Sequence, residues 1–256
     1  MKIYAIANQK GGIGKTTTAT CIAAILQQKG YKVLLIDTDQ QCNSTDTYRA
    51  KIESTATLYD VLLDENKIPL SEAIQQTESG DIIAADPLLR EADKKLTVDV
   101  EGLYRMQDAL VELNNENKYD YVIIDTAPAI NSLLHNVLIA ADEVIIPLTA
   151  DRYALQGLSQ LNDSINAIKR RQNPKLKVAG LLLIKYTPRT LLAREVKDAL
   201  HNIARQMNTK VFRTTIREST KAREAQAMRI TLIKHAPLST TEQDYESFVN
   251  ELLQEE

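Results

Sequence analysis

The sequence predicts one doubly wound α/β domain over residues 1–256, a mostly parallel sheet with helices on both faces. Three observations carry that expectation. Short β-branched runs alternate with longer helical patterns along the chain. The runs Val33-Leu34-Leu35-Ile36 and Val122-Ile123-Ile124 lack polar alternation, as parallel strands do when both faces are covered. No internal repeat or low-complexity linker divides the 256 residues, a length that a single α/β domain reaches.

In chain order, a strand at Lys2–Asn8 runs into a glycine-rich loop, and an amphipathic helix at Thr16–Lys29 follows. Strands come next at Lys32–Asp37 and Asp81–Ala85, then a helix at Gly102–Glu116. Tyr121–Asp125 and Glu143–Leu148 are strands of apolar, β-branched character, followed by a helix at Ala154–Arg171. The remaining pattern gives a strand at Val178–Ile184, a helix at Leu191–Met207 and a strand at Lys210–Arg213. The last helix opens on Ser239-Thr240-Thr241-Glu242, a capping box whose hydroxyl and carboxylate satisfy exposed backbone donors.

Composition narrows the class. With 44% hydrophobic and 25% charged residues the chain builds a core, which excludes general disorder. Apolar runs such as Gly180–Ile184 fall far short of the ~20 residues of a membrane span. The start, Met1 to Asn8, is interrupted too soon for a signal peptide. Two cysteines, Cys21 and Cys42, make neither a disulfide framework nor a zinc quartet, so a cytoplasmic location is expected. The net charge of −3 hides an asymmetry: residues 165–235 hold 17 Lys and Arg against 4 Asp and Glu. That basic segment suits a polyanionic partner; solvated helix faces are the alternative.

The first strand ends in Gln9-Lys10-Gly11-Gly12-Ile13-Gly14-Lys15-Thr16-Thr17-Thr18. Gln9 stands where the strict phosphate loop has its first glycine, yet the physical parts remain. Glycines let backbone N–H groups turn toward phosphate oxygens, and the helix N-terminus adds positive potential. Lys15 is expected to reach the β- and γ-phosphates and the Thr16 hydroxyl to ligate Mg²⁺. Asp125, closing a buried strand, is the expected carboxylate for the same metal. Asp39, beyond the end of the second strand, is placed beside the metal to orient the attacking water, while Asp37 takes a structural role near the sheet. Asn117-Lys118-Tyr119-Asp120 matches the guanine-reading N-K-x-D pattern but precedes the Asp125 strand, so ATP is favoured over GTP.

These residues resemble a known family. Lys10-Gly11-Gly12-Ile13-Gly14-Lys15-Thr16 is similar to the deviant Walker A loop of the ParA/MinD P-loop ATPases, with Lys10 as the additional signature lysine. Ala154-Leu155-Gln156-Gly157-Leu158, Arg189-Thr190 and Arg223-Glu224-Ala225-Gln226 resemble the ParA/Soj partition branch. The resemblance implies a weak, Mg²⁺-dependent ATPase that closes as a homodimer around two ATP molecules, with Lys10 reaching the partner's nucleotide. Lys10, Gly11, Gly12, Ile13, Gly14, Lys15, Thr16 and Thr17 would hold the phosphates; Lys10, Lys15 and Asp39 would be catalytic; Thr16, Asp39 and Asp125 would serve the metal. A side chain at Gly12 should clash where two loops meet, so Gly12→Val is expected to bind nucleotide without dimerising.

The resemblance further implies non-specific binding of double-stranded DNA on the nucleoid and a ParB-like, centromere-bound adaptor that stimulates hydrolysis. Arg189 and Lys221 match basic positions of the family, and Arg217 and Arg223 join them from local charge. The chain departs from the family at Asp39-Gln40-Gln41-Cys42, where the usual proline and glycine are missing, and at Arg217, where an adenine-side proline is usual. No N-terminal helix-turn-helix extension is expected, since the chain begins with its first strand. A membrane-cycling MinD-like ATPase is the main alternative. It would use the C-terminal apolar stripe as an amphipathic anchor, but residues 246–256 carry four glutamates and no Lys or Arg, so no membrane partner is expected. An iron–sulfur ATPase lacks its cysteines. A metabolic phosphate-loop enzyme fits neither Lys10 nor the basic segment.

Overall fold

Among the residues described by a computed structural model (1–63, 68–99, 101–151, 154–187 and 191–254), seven strands form one sheet. They are β1 (Lys2–Ile6), β2 (Val33–Asp37), β3 (Ile74–Thr77), β4 (Gly80–Ile83), β5 (Tyr121–Asp125), β6 (Glu143–Thr149) and β7 (Lys177–Ile184). The order across the sheet is β3-β4-β2-β5-β1-β6-β7, parallel throughout except for the β3–β4 hairpin at one edge. The register sets Asp125 beside Asp37 on one side and Ile6 on the other. The phosphate loop and both carboxylates therefore gather at the carboxyl edge, where the strand order reverses and ligands of such folds sit.

Successive residues of a strand face opposite sides, and the two sides build separate apolar layers. Ile3, Ala5, Leu34, Ile36, Val122 and Ile124 pack with α5 (Arg105–Asn115), α6 (Ser132–Ala140) and α7 (Ala154–Arg171). Tyr4, Ile6, Leu35 and Ile123 pack with α1 (Lys15–Gln28) and α11 (Thr240–Leu253). Shorter helices fill the connections: α2 (Asn43–Thr47), α3 (Leu58–Leu63), α4 (Ala92–Val98), α9 (Thr220–Ala227) and α10 (Leu232–His235). The longer α8 (Leu191–Gln206) follows β7. Every residue of β2 and β5 is buried, as their unalternating sequences require.

Two expectations change. Residues 210–213 run beside β7 but make only an isolated bridge, Leu181 with Val211. The ladder stops where the Thr214 N–H, next in line for β7, donates instead to the Glu251 carboxylate at 2.9 Å, which the Arg213 N–H also meets at 2.8 Å. The strand β3 is absent from the sequence pattern, since Gln75-Gln76-Thr77 offers an edge strand little apolar signal. The α11 start holds as half a capping box: the Ser239 hydroxyl accepts from the Glu242 N–H at 3.3 Å, while the Ser239 N–H donates to the Ala236 carbonyl. Its apolar stripe, Tyr245, Phe248, Val249 and Leu252, is buried in the α1 layer, with Phe212 edge-on to Phe248 at 4.8 Å. No described helix is long and apolar enough to cross a membrane. The N-K-x-D match lies at the amino end of β5, where the Asp120 carboxylate accepts from the Lys32 N–H, away from the phosphate loop.

Candidate nucleotide site

The loop after β1 turns because two of its glycines take left-handed angles, Gly12 at φ 68° and Gly14 at φ 106°. Gly14 caps α1 without any side-chain hydrogen bond, which leaves the first backbone N–H groups of the helix for an anion. The Asn8 amide fastens the loop's root, donating to the Pro147 carbonyl at 2.8 Å and accepting from the Lys10 N–H at 2.9 Å. Lys15 is buried, its ammonium 3.1 Å from the Lys10 carbonyl. Burial lowers its pKa, and Asp125 and Asp39 pull the other way. Lys10 pairs with Asp151 at 2.6 Å and lies 3.5 Å from the Thr149 hydroxyl.

The acidic side of the site is a hydrogen-bonded cluster. Asp37 is fully buried; one oxygen accepts from the Asp39 N–H at 3.0 Å, the other from the Thr45 N–H and hydroxyl at 2.8 Å each. Asp125 accepts the Ser44 hydroxyl at 2.8 Å through Oδ2, while its buried Oδ1 has no hydrogen-bond partner. Burial raises the pKa of both acids; the Asp125 charge adds to the cost at Asp37, while the Thr16 and Ser44 hydroxyls and Lys15 favour the charged Asp125. Asp39 is buried and accepts from the Gln41 N–H at 3.0 Å. Cys42, in the place of the usual glycine, adopts the glycine-like φ of 54°, so the Asp39 loop keeps its turn at some backbone strain.

This donor set fits magnesium. The orphaned Oδ1 of Asp125 and the Thr16 and Asp39 oxygens are hard ligands of the kind Mg²⁺ takes. Among the described residues no three His, Cys, Asp or Glu groups converge as a metal cage, so phosphate and water oxygens would complete the shell.

A cleft opens from the loop between β7 and α9. Gly11, Gly12, Ile13, Gly14, Lys15, Thr16, Thr17 and Asp39 line one side, and Ile184, Lys185, Ile216, Arg217, Arg223 and Tyr245 the other. Arg217 is fixed there by Asp244, with hydrogen bonds of 2.9 and 2.6 Å, and by the Thr240 carbonyl. Lys221 pairs with Glu224 at 2.8 Å, and Glu224 also meets His235 at 3.1 Å. Arg189 lies outside the described residues. The structure thus brings the loop, Asp39 and Asp125 together and sets Arg217 and Arg223 on the cleft wall. Sequence reasoning missed Ser44, Asp151 and Lys185; the positions of Asp151 and Lys185 just past the carboxyl ends of strands were the one hint of a role.

Comparison with known proteins gives the family. A family model described as an AAA domain (AAA_31) matches residues 1–178. The chain is 37% identical over 228 residues to the chromosome partitioning protein ParA of Caulobacter vibrioides, covering 88% of this chain and 84% of that one. It is 33% identical over 254 residues to the sporulation initiation inhibitor protein Soj of Bacillus subtilis, covering 98% of each. Among solved structures, an ATP complex of a McdA variant from Cyanothece superposes with a TM-score of 0.87 at 25% identity, over 99% of this chain and 96% of that one. Cobyrinic acid a,c-diamide synthase from Mycobacterium smegmatis with ADP and magnesium gives 0.83 at 30%, over 99% and 94%.

Proposed function

The chain belongs to the ParA/Soj family of partition ATPases, and we propose that it works as a DNA-segregating switch driven by ATP. The observation that carries this reading is the pairing of a lysine-bearing phosphate loop with the orphaned Asp125 oxygen on the adjacent strand. Lys15 and the open N–H groups of α1 would bind the phosphates, and Lys15 would neutralise charge on the transferred group. Magnesium, held through Thr16, Asp125 and the Asp39 side, would offset phosphate charge. Asp39 would orient the attacking water, and with no strong base in the site unstimulated turnover would be slow. Lys10 would leave Asp151 and reach the partner's nucleotide as two subunits close face to face.

The closed dimer would bind duplex DNA through phosphates, using Arg189, Arg217, Lys221 and Arg223. A ParB-like adaptor would stimulate hydrolysis and release, at the nucleoid in the cytoplasm, to move plasmid or chromosomal DNA. The membrane-cycling alternative would have to withdraw the α11 stripe from the α1 layer, and liposome flotation with ATP tests it directly. The central experiment measures binding to duplexes of unrelated sequence, with ATP or ADP, from about 50 to about 200 mM salt. ATP-dependent binding that is blind to sequence and weakens steeply with salt is expected. A site-specific footprint, or affinity flat across that range, would contradict it.

A further inference from the structure

Lys185 is a cleft residue for which neither the phosphate loop nor the acidic cluster accounts. It follows β7 directly, with a left-handed φ of 50°, a conformation that is strained for any residue with a Cβ. Such strain persists only where the surroundings over-determine it. Here they do: the next residue resumes pairing, with the Tyr186 N–H donating to the Ile216 carbonyl at 2.9 Å. The end of β7 also lies directly against the loop, since a Cβ at Gly14 would come 3.2 Å from Ile184 Cδ1. The turn delivers the Lys185 ammonium to the Gly12 carbonyl at 2.8 Å.

We propose that Lys185 is a positioning residue for nucleotide binding, which fixes the Gly12–Ile13 peptide so that its N–H serves the phosphates. The proposal rests on the nucleotide site described above. A trans peptide is planar, with its C=O and N–H pointing in opposite directions. Gly12, at φ 68°, has the backbone freedom of glycine and does not by itself fix the orientation of that peptide. Holding the carbonyl with an ammonium turns the Ile13 N–H to the opposite side of the peptide plane. It also keeps the carbonyl dipole from meeting the phosphate. Lys15 makes the same kind of contact two residues earlier, on the Lys10 carbonyl, so two lysines hold two carbonyls of one loop.

The test compares Lys185→Met, which keeps the stem and removes the donor, with Lys185→Arg, which keeps a donor. Calorimetric titration with ADP and with a slowly hydrolysed ATP analogue, both with Mg²⁺, gives the affinities. Lys185→Met is expected to weaken both nucleotides equally, by about tenfold, the net worth of a hydrogen bond to a charged group. Lys185→Arg should stay within about twofold of wild type, and the melting midpoint of the nucleotide-free Lys185→Met chain within about 2 °C. Unchanged affinity in Lys185→Met, or no rescue by arginine, would overturn the proposal. So would a loss confined to the ATP analogue, which would mean that the lysine meets the γ-phosphate itself. A wild-type chain that binds neither nucleotide would instead remove the site reading on which the proposal stands.

Discussion

Asp37 and Asp125 occupy positions where the fold disfavours their charge, and that sets a measurable sign. Burial raises both above the ordinary aspartate value of 3.8, so the folded chain holds protons that the unfolded chain gives up. Stability from this pair is fully present below about pH 4 and is lost as pH rises toward neutrality. Denaturant midpoints of the nucleotide-free chain, followed from about pH 5 to about pH 7.5, should show the fall, and Asp37→Asn should flatten it. Asp125→Asn is expected to raise the midpoint near neutral pH and to abolish the gain in nucleotide affinity that Mg²⁺ confers, read by titration with and without a chelator. Gly12 gives a second residue-scale test. Apart from its immediate chain neighbours no atom lies within 4 Å of an added Cβ, so there is room for a side chain, but its φ of 68° resists a β-branched one. Gly12→Asn therefore separates bulk from backbone strain better than Gly12→Val. It should keep nucleotide binding and stay monomeric with ATP on a sizing column. The loop was legible because its glycines and Lys-Thr lie together in sequence, and Asp39 and Asp125 because each stands at or just past the end of an apolar strand run. Lys185 and Asp151 were not, because their bonds to the loop span 173 and 141 residues.

At the scale of elements, α11 closes the sheet's edge by chemistry as much as by packing. Glu251 accepts the Thr214 N–H, the next donor in line for the β7 ladder, together with the Arg213 N–H, which faces away from β7. Burial opposes its charge, but those donors and Arg213 hold its pKa below the usual range. Its contribution thus has the opposite sign to that of the aspartates: present above the unfolded glutamate value and lost as pH falls. Glu251→Ala should cost about 2–3 kcal/mol in chemical denaturation, with two charge-assisted bonds removed and their donors stranded. Glu251→Gln should lose less. This is also why the 210–213 strand misled: its β character was real, while the competitor for its N–H groups lay a whole helix away. The central strands were easier, because burial on both faces leaves an unbroken apolar run. β5 has the bounds its sequence implied. The edge strand β3 must pair only with β4, and so carries almost no such signal.

At the scale of the molecule, the basic segment is divided. Lys169, Arg170 and Arg171 end α7, and Lys177 begins β7, at the amino edge of the sheet. Arg217, Lys221 and Arg223 lie beyond the carboxyl edge, beside the cleft. Both Arg217 and Lys221 already have acidic partners, so on the proposed reading duplex phosphates would have to compete with Asp244 and Glu224. Replacing Lys221 and Arg223 by alanine should lower the slope of log affinity against log salt by about one unit for each phosphate no longer neutralised. Neutralising Lys169, Arg170 and Arg171 should leave the slope unchanged, and the reverse result would move the duplex to the other edge. The charge excess was legible from the sequence, but its division was not, since it depends on which strand end each residue occupies. Finally, the chain is a natural blank for thiol chemistry. Both cysteines are buried, and burial pushes the Cys42 thiol up to about 12 and Cys21 well above its ordinary range. Maleimide should label the native protein slowly and the unfolded protein at once. A single handle at an exposed position, such as Met228→Cys, then gives one dye per chain, and energy transfer in a mixed donor and acceptor sample would test whether two chains pair with ATP and time the event.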